Sequence, residues 1–239
     1  MRIIKHDEYL SQLTFMPRLF PVNCYLVEEE EEGLTLVDAA LPYSAAGIMQ
    51  AVKDSGKPLA RIVLTHAHDD HVGALDKLKA SFPEAEVYIS ERDALLLAGD
   101  RSLQPGEPQM PIRGGVPKSV KSRADHLVRE GDSIGSLLVI AAPGHTPGSI
   151  SLLDKRTGSL LVGDAFHTRG GLTVTGHLRL RFPFPALATW NKEAALASAV
   201  RLAEHRPTLL AAGHGEMLKD PAGKMQAAIA AARRWLERE

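Results

Sequence analysis

The sequence predicts an α/β fold, and three observations lead to it. Short apolar runs alternate with stretches of helical periodicity through the first half of the chain. Four of the apolar runs stop just before a His or an Asp, and strand carboxyl ends are where α/β architectures place their sites. The 239 residues contain no low-complexity linker, so a single domain over 1–239 is expected. Hydrophobic residues make up 44% and charged residues 24%, values that exclude a disordered chain, a collagen and a simple coiled coil.

Taken in order, the apolar runs Val22 to Val27 and Leu34 to Val37 read as a hairpin across the charged turn Glu28 to Glu32 and Gly33. Tyr43 to Val52 has helical spacing, Ile62 to Leu64 is a buried strand, and Val72, Leu75, Leu78 and Phe82 mark one face of a helix ended by Pro83. A strand at Val87 to Ile89 and a short helix from Glu91 follow. Gly99 to Arg123, rich in Pro and Gly, reads as a lid or a passive surface loop. Strands are expected at Leu137 to Ala142, Ile150 to Leu153, Leu160 to Val162 and Leu209 to Ala212. Helices are expected from near Thr189 and from Asp220-Pro221, the last with Met225, Ile229, Ala232 and Leu236 on its apolar face.

Charge and cysteine content narrow the partners. Lys and Arg number 28 against 29 Asp and Glu, a net charge of −1 without the basic excess that neutralises phosphates, so nucleic acid is not expected. Charges at Arg2, Lys5, Asp7 and Glu8 interrupt any signal-like run, and no segment reaches the ~18 apolar residues of a membrane span. The lone cysteine, Cys24, cannot form an intramolecular bridge. The expectation is a cytoplasmic protein with a small-molecule substrate and no membrane partner.

The chemistry concentrates in Thr65-His66-Ala67-His68-Asp69-Asp70-His71, between a strand and a helix. Residues two apart in an extended segment share a face, so His66 and His68 can converge on one point, while Asp70 and His71 could face a second. Three imidazoles and a carboxylate form a donor mix suited to zinc, with iron or manganese as alternatives. His145, Asp164 and His214 each follow a strand-like run beside glycine. Taken singly, the two histidines read equally as loop residues and Asp164 as a turn or cap carboxylate; their shared placement makes them candidate ligands.

The His-x-His-x-Asp-His string, followed by His145, Asp164 and His214 at spacings of 74, 19 and 50 residues, resembles the metallo-β-lactamase fold superfamily from the Asp38 region to His214. The resemblance implies a four-layer αββα sandwich of two mixed sheets flanked by helices. It implies two divalent metal ions, zinc before iron or manganese. One would be held by His66, His68 and His145, the other by Asp70, His71 and His214, with Asp164 bridging and Asp38 supporting from behind. Two such metals share a hydroxide available at neutral pH. The reaction implied is hydrolysis of an ester, thioester or lactone, with Asp70 passing a proton toward the leaving group.

Departures from known branches prune the substrate list. True β-lactamases of this fold generally lack the bridging carboxylate, so Asp164 argues against that activity. Glyoxalase II enzymes use a C-terminal helical domain, whereas 25 residues follow His214. Acyl-homoserine lactonases place a substrate-contacting Tyr where this chain has His167, which reads as a substrate hydrogen-bond donor or a loop histidine. The apolar stretch Arg169 to Pro185 could wall an acyl pocket or form a homodimer contact. The alternative activities are a mononuclear iron oxidoreductase resembling persulfide dioxygenases, a β-lactamase and a phosphodiesterase; a binding protein with a vestigial site is the non-enzymatic reading.

Overall fold

The computed structural model describes residues 1–238. The first sheet runs, in spatial as in chain order, through β1 (Arg2–Lys5), β2 (Leu10–Phe15), β3 (Val22–Glu29), β4 (Gly33–Val37), β5 (Leu59–Val63), β6 (Glu86–Ser90) and β7 (His126–Val128). Its first four strands pair antiparallel and its last four parallel, with helices in the crossovers. The crossovers hold α1 (Ala45–Ser55), α2 (Asp69–Val72), α3 (Leu75–Ser81) and α4 (Glu91–Leu97).

The second sheet is built from β8 (Ser133–Ile134), β9 (Leu137–Ala141), β10 (Ile150–Asp154) and β11 (Ser159–Gly163). A small hairpin, β12 (Phe166–His167) and β13 (Thr173–Val174), leads to α5 (Phe184–Leu187) and α6 (Lys192–Glu204). The chain then returns as β14 (Leu209–Ala212) beside β11, adds the edge strand β15 (Leu218–Lys219) and ends in α7 (Ala222–Leu236).

Three apolar clusters fix the layering. Val27, Val37, Val63, Val139, Leu152 and Leu161 pack between the sheets. Leu36, Ile62 and Val87 meet Ile48 of α1 and Leu78 of α3 on the outer face of the first sheet. Leu160 and Leu210 meet Leu202 of α6 and Met225 of α7 on the outer face of the second. Each such buried side chain contributes about 1.5–3 kcal/mol, so strands buried on both faces read as continuous apolar runs. This is the αββα sandwich, and among the described residues no helix is long and apolar enough to cross a membrane.

Several boundaries differ from those the sequence suggests. β1 and β2 are additional, and β2 buries Gln12 and Thr14 among its apolar residues, which hides the pattern. The helix expected through Val72 to Phe82 is two short helices broken at Gly73. There the His71 carbonyl accepts from the Ala39 amide at 2.6 Å, and the Gly73 amide donates to Ala40 at 2.8 Å, so the backbone serves the neighbouring loop instead of one continuous helix. The helix expected near Thr189 begins at Lys192, where the Asn191 side chain caps it by accepting from the Ala194 amide. Pro221 stands at the cap of α7, just outside its first turn.

Candidate metal centre

Strand direction assembles the site. β4 and β5 run parallel in one sheet, while β9, β11 and β14 share a direction in the other, so their carboxyl ends meet along one edge of the sandwich. Asp38 follows β4, His66 to His71 follow β5, His145 follows β9, Asp164 follows β11 and His214 follows β14. Bonds between the sheets hold that edge together. Asn23 Nδ2 donates to the Ala212 and Gly215 carbonyls at 2.8 and 2.7 Å, and the Tyr25 hydroxyl donates to Ala212 at 2.6 Å.

Five histidines and two aspartates converge there in overlapping groups. His66, His68 and His145; His66, His71 and Asp164; and Asp70, His71 and His214 each bring ligand atoms within 4.8 Å of one another. Asp164 lies between them, its Oδ2 at 3.4 Å from His145 Nε2 and 3.1 Å from His214 Nε2, its Oδ1 at 3.4 Å from His71 Nε2. Asp70 Oδ2 is 3.5 Å from His214 Nε2, and Asp70 is the most open of the set. Gly213 makes the approach feasible, since a Cβ there would stand 2.3 Å from Asp164 Oδ1.

Each ring presents one nitrogen to the cluster and anchors the other behind it. His71 Nδ1 donates to Asp38 Oδ2 at 2.9 Å and His214 Nδ1 to the Pro21 carbonyl at 2.7 Å. His66 Nδ1 donates to Thr65 Oγ1 at 3.1 Å, whose hydroxyl donates on to Asp38. His145 Nδ1 lies 3.1 Å from Thr175 Oγ1. His68 is reversed: its Nδ1 faces His145, and its Nε2 donates to the Arg113 carbonyl at 3.0 Å. Such outer partners fix tautomers and orient rings toward a cation. Asp38 achieves its position in the left-handed backbone region, φ +64°, a local strain placed directly under His71.

The donor set fits divalent cations. His66 Nε2, His71 Nε2 and Asp164 Oδ1 are buried without a hydrogen-bond partner, an arrangement whose desolvation cost a bound cation offsets. Burial holds His66 and His145 well below the ordinary imidazole range, in the neutral form that binds metal. For His71 and His214 burial acts in the same direction, but the carboxylates around them, Asp164 first and then Asp70 with Asp38 beside His71, together outweigh it and raise both. Burial would raise Asp164, yet His214 and His71 hold it well below the usual carboxylate range. A metal must therefore displace protons from the two raised histidines. Apparent affinity is expected to climb with pH through neutrality, about tenfold per pH unit for each proton displaced, and competition with a chromogenic chelator at several pH values measures it; a flat profile would contradict it.

A residue missed at the level of sequence ties the ligand loops together. Asp93, fully buried at the start of α4, accepts from the Ala67 amide at 2.9 Å, the Thr146 hydroxyl at 2.7 Å and the Gly148 amide at 2.8 Å. Ala67 separates His66 from His68, and Thr146 follows His145, so one carboxylate registers loops from both sheets. Burial raises its pKa, while the three donors pull against that shift. In sequence Asp93 resembles an ordinary acidic residue in a helix's first turn.

The segment 99–123 carries no helix or strand and covers one side of the site. Gly114, at φ +84°, lies so close that a Cβ would stand 2.3 Å from His68 Nε2. With Gly115 it borders a cavity of about 320 Å³ floored by His68, Asp70, His145, Asp164 and His214. The opposite wall is apolar, formed by Phe20, Phe184, Pro185, Leu187 and Ala188. His167 is completely buried beside Phe182 and is absent from the residues lining the cavity, with neither ring nitrogen hydrogen-bonded. Burial lowers it to about 4, so the ring is neutral. His167→Ala is expected to leave metal content unchanged by elemental analysis; metal loss equal to that of His68→Ala would place His167 in the coordination shell.

The family model described as Metallo-beta-lactamase superfamily matches residues 17–214. The chain belongs to that superfamily. Within it, the chain is 57% identical to YobT of Bacillus subtilis (strain 168), over 98% of this chain and all of that protein. It is 31% identical to the probable metallo-hydrolase YflN of the same organism, over 81% of this chain and 80% of that protein. Among solved structures, TTHA1623 in a di-iron-bound form superposes with a TM-score of 0.65 at 27% identity, covering 88% of this chain and 95% of the other. Metallo-beta-lactamase superfamily members share the mixed-sheet sandwich described above.

Proposed function

We propose that the protein is a metal-dependent hydrolase that cleaves an ester, thioester or lactone of a small molecule, with two divalent ions, zinc before iron or manganese. The observation that carries this reading is the floor of the cavity. His68, Asp70, His145, Asp164 and His214, members of the overlapping donor groups, face it together with an apolar wall, space that accepts an acyl group beside the donors. The relative named a metallo-hydrolase and the neighbour crystallised with two irons support it.

His66, His68 and His145 would hold one ion and Asp70, His71 and His214 the other, with Asp164 between. Bound there, the ions supply water activation near neutral pH and polarisation of a carbonyl. The chain's own groups do the rest. Asp38 keeps the His71 Nδ1 proton in place, leaving Nε2 as the donor toward the ion. Asp70, partly open at the cavity edge, is placed to take a proton from the attacking water and pass it to the departing alcohol or thiol. The apolar wall excludes water from the acyl side.

Elemental analysis of protein purified without added metal, followed by a panel of small esters, thioesters and lactones, tests this. About two metals per chain with turnover is the expected result. About one iron, no hydrolysis and oxygen consumption with a persulfide would overturn it in favour of an oxidoreductase.

A further inference from the structure

The mouth of the cavity opens within an unusual surface. Leu19 is 80% exposed, Leu180 92%, Leu187 60% and Phe184 52%, apolar side chains projecting from two separate segments. The segments form one continuous surface. Phe20 packs on Phe182 and Phe184 with ring centroids 5.3 and 5.1 Å apart, and the Arg169 guanidinium donates to the Arg18 carbonyl at 2.6 Å. Arg181 joins them, its Cβ only 3.3 Å from where a side chain on Gly170 would begin.

The charged side chains of these two segments have one sign. Neither 16–27 nor 165–192 contains an Asp or Glu, although the chain carries 29 such residues. Among the described residues, Arg18, Arg169, Arg179 and Arg181 form no ion pair. Nearby Glu216 is held by Arg2 at 3.1 Å. Arg179 is tethered only through Nε, which donates to Thr173 Oγ1 at 3.3 Å. Protruding aliphatic and aromatic side chains interleaved with unpaired guanidiniums match a bilayer interface, where apolar tips enter the acyl boundary and cations meet phosphates. A two-fold dimer through the same surface would oppose four arginines with four more and supply no carboxylate, so self-association does not answer the charge.

We infer that this face docks the active-site mouth onto an anionic lipid surface. The expectation of no membrane partner rested on the lack of a spanning segment, and lying on a bilayer requires none. Phe184 and Leu187 belong both to the cavity wall and to the exposed surface, so a substrate dissolved in the bilayer reaches the site without crossing water.

Flotation of the metal-loaded protein with phosphatidylcholine vesicles, with and without phosphatidylglycerol, tests the inference. None of its readouts requires turnover, so it stands or falls separately from the hydrolase reading. The protein is expected to float with anionic vesicles only and to release at high salt. Arg179→Ala/Arg181→Ala is expected to weaken partitioning by about thirtyfold, and Leu19→Asp/Leu180→Asp to abolish it. These four side chains line no part of the cavity, so metal content should be unchanged. No flotation of the wild type, or equal binding to neutral vesicles, overturns the inference. A stable dimer by light scattering that Leu19→Asp/Leu180→Asp dissociates does so too, and reassigns the surface to self-association.

Discussion

Asp164→Ala is expected to reduce hydrolysis by roughly a thousandfold or more and to lower the metal bound per chain, both followed on the same preparation. Among the described residues, this carboxylate is the one that lies within 3.4 Å of His71, His145 and His214 at once. Its removal takes away the carboxylate between the His66, His68, His145 group and the Asp70, His71, His214 group and leaves the raised His71 and His214 with less anionic support. Without metal, water returns to its ordinary acidity, far from a neutral-pH nucleophile. Full metal content together with full turnover would show that Asp164 is not part of the centre.

The second large effect is on stability as well as metal. Asp93→Ala strands the Ala67 and Gly148 amides in a dry interior and leaves the Thr146 hydroxyl with only the Ser149 hydroxyl at 2.7 Å. Losing a charged acceptor and orphaning the two amides is expected to cost about 3–5 kcal/mol of a total near 5–15 kcal/mol. Denaturant unfolding measures the first figure, and chelator competition should show weakened metal binding in the protein that remains folded. Thr146→Ser, which retains the hydroxyl, should behave close to wild type. A loss of stability with metal affinity untouched would confine Asp93 to the core.

Much of this site was legible because its ligands sit where periodicity stops. The runs Leu160 to Val162 and Leu209 to Ala212 are buried on both faces, so they announce themselves as apolar, and the Asp or His that follows lies at a predictable edge. Local signals of this kind also placed α1 and α4. The unread parts depend on distant groups. Gln12 of β2 is buried because Tyr25 and Gly215 receive it, a pairing across 203 residues for the latter that no window of sequence contains. Asp93 has the same character, with partners 26 and 53 residues away. The break at Gly73 comes from the Ala39 and Ala40 backbone pressing against it. The family resemblance carried the two-layer pairing of sheets, which periodicity alone does not specify.

The hydrogen bond between His68 Nε2 and the Arg113 carbonyl connects two things usually treated apart. Arg113 belongs to the segment covering the cavity, and Gly114 beside it rests against the same imidazole. The backbone of that segment therefore helps set the tautomer and orientation of a candidate ligand. Cavity wall and candidate ligand thus share one stretch of backbone, so a substitution that displaces Arg113 or Gly114 reaches the His68 ring as well as the cavity.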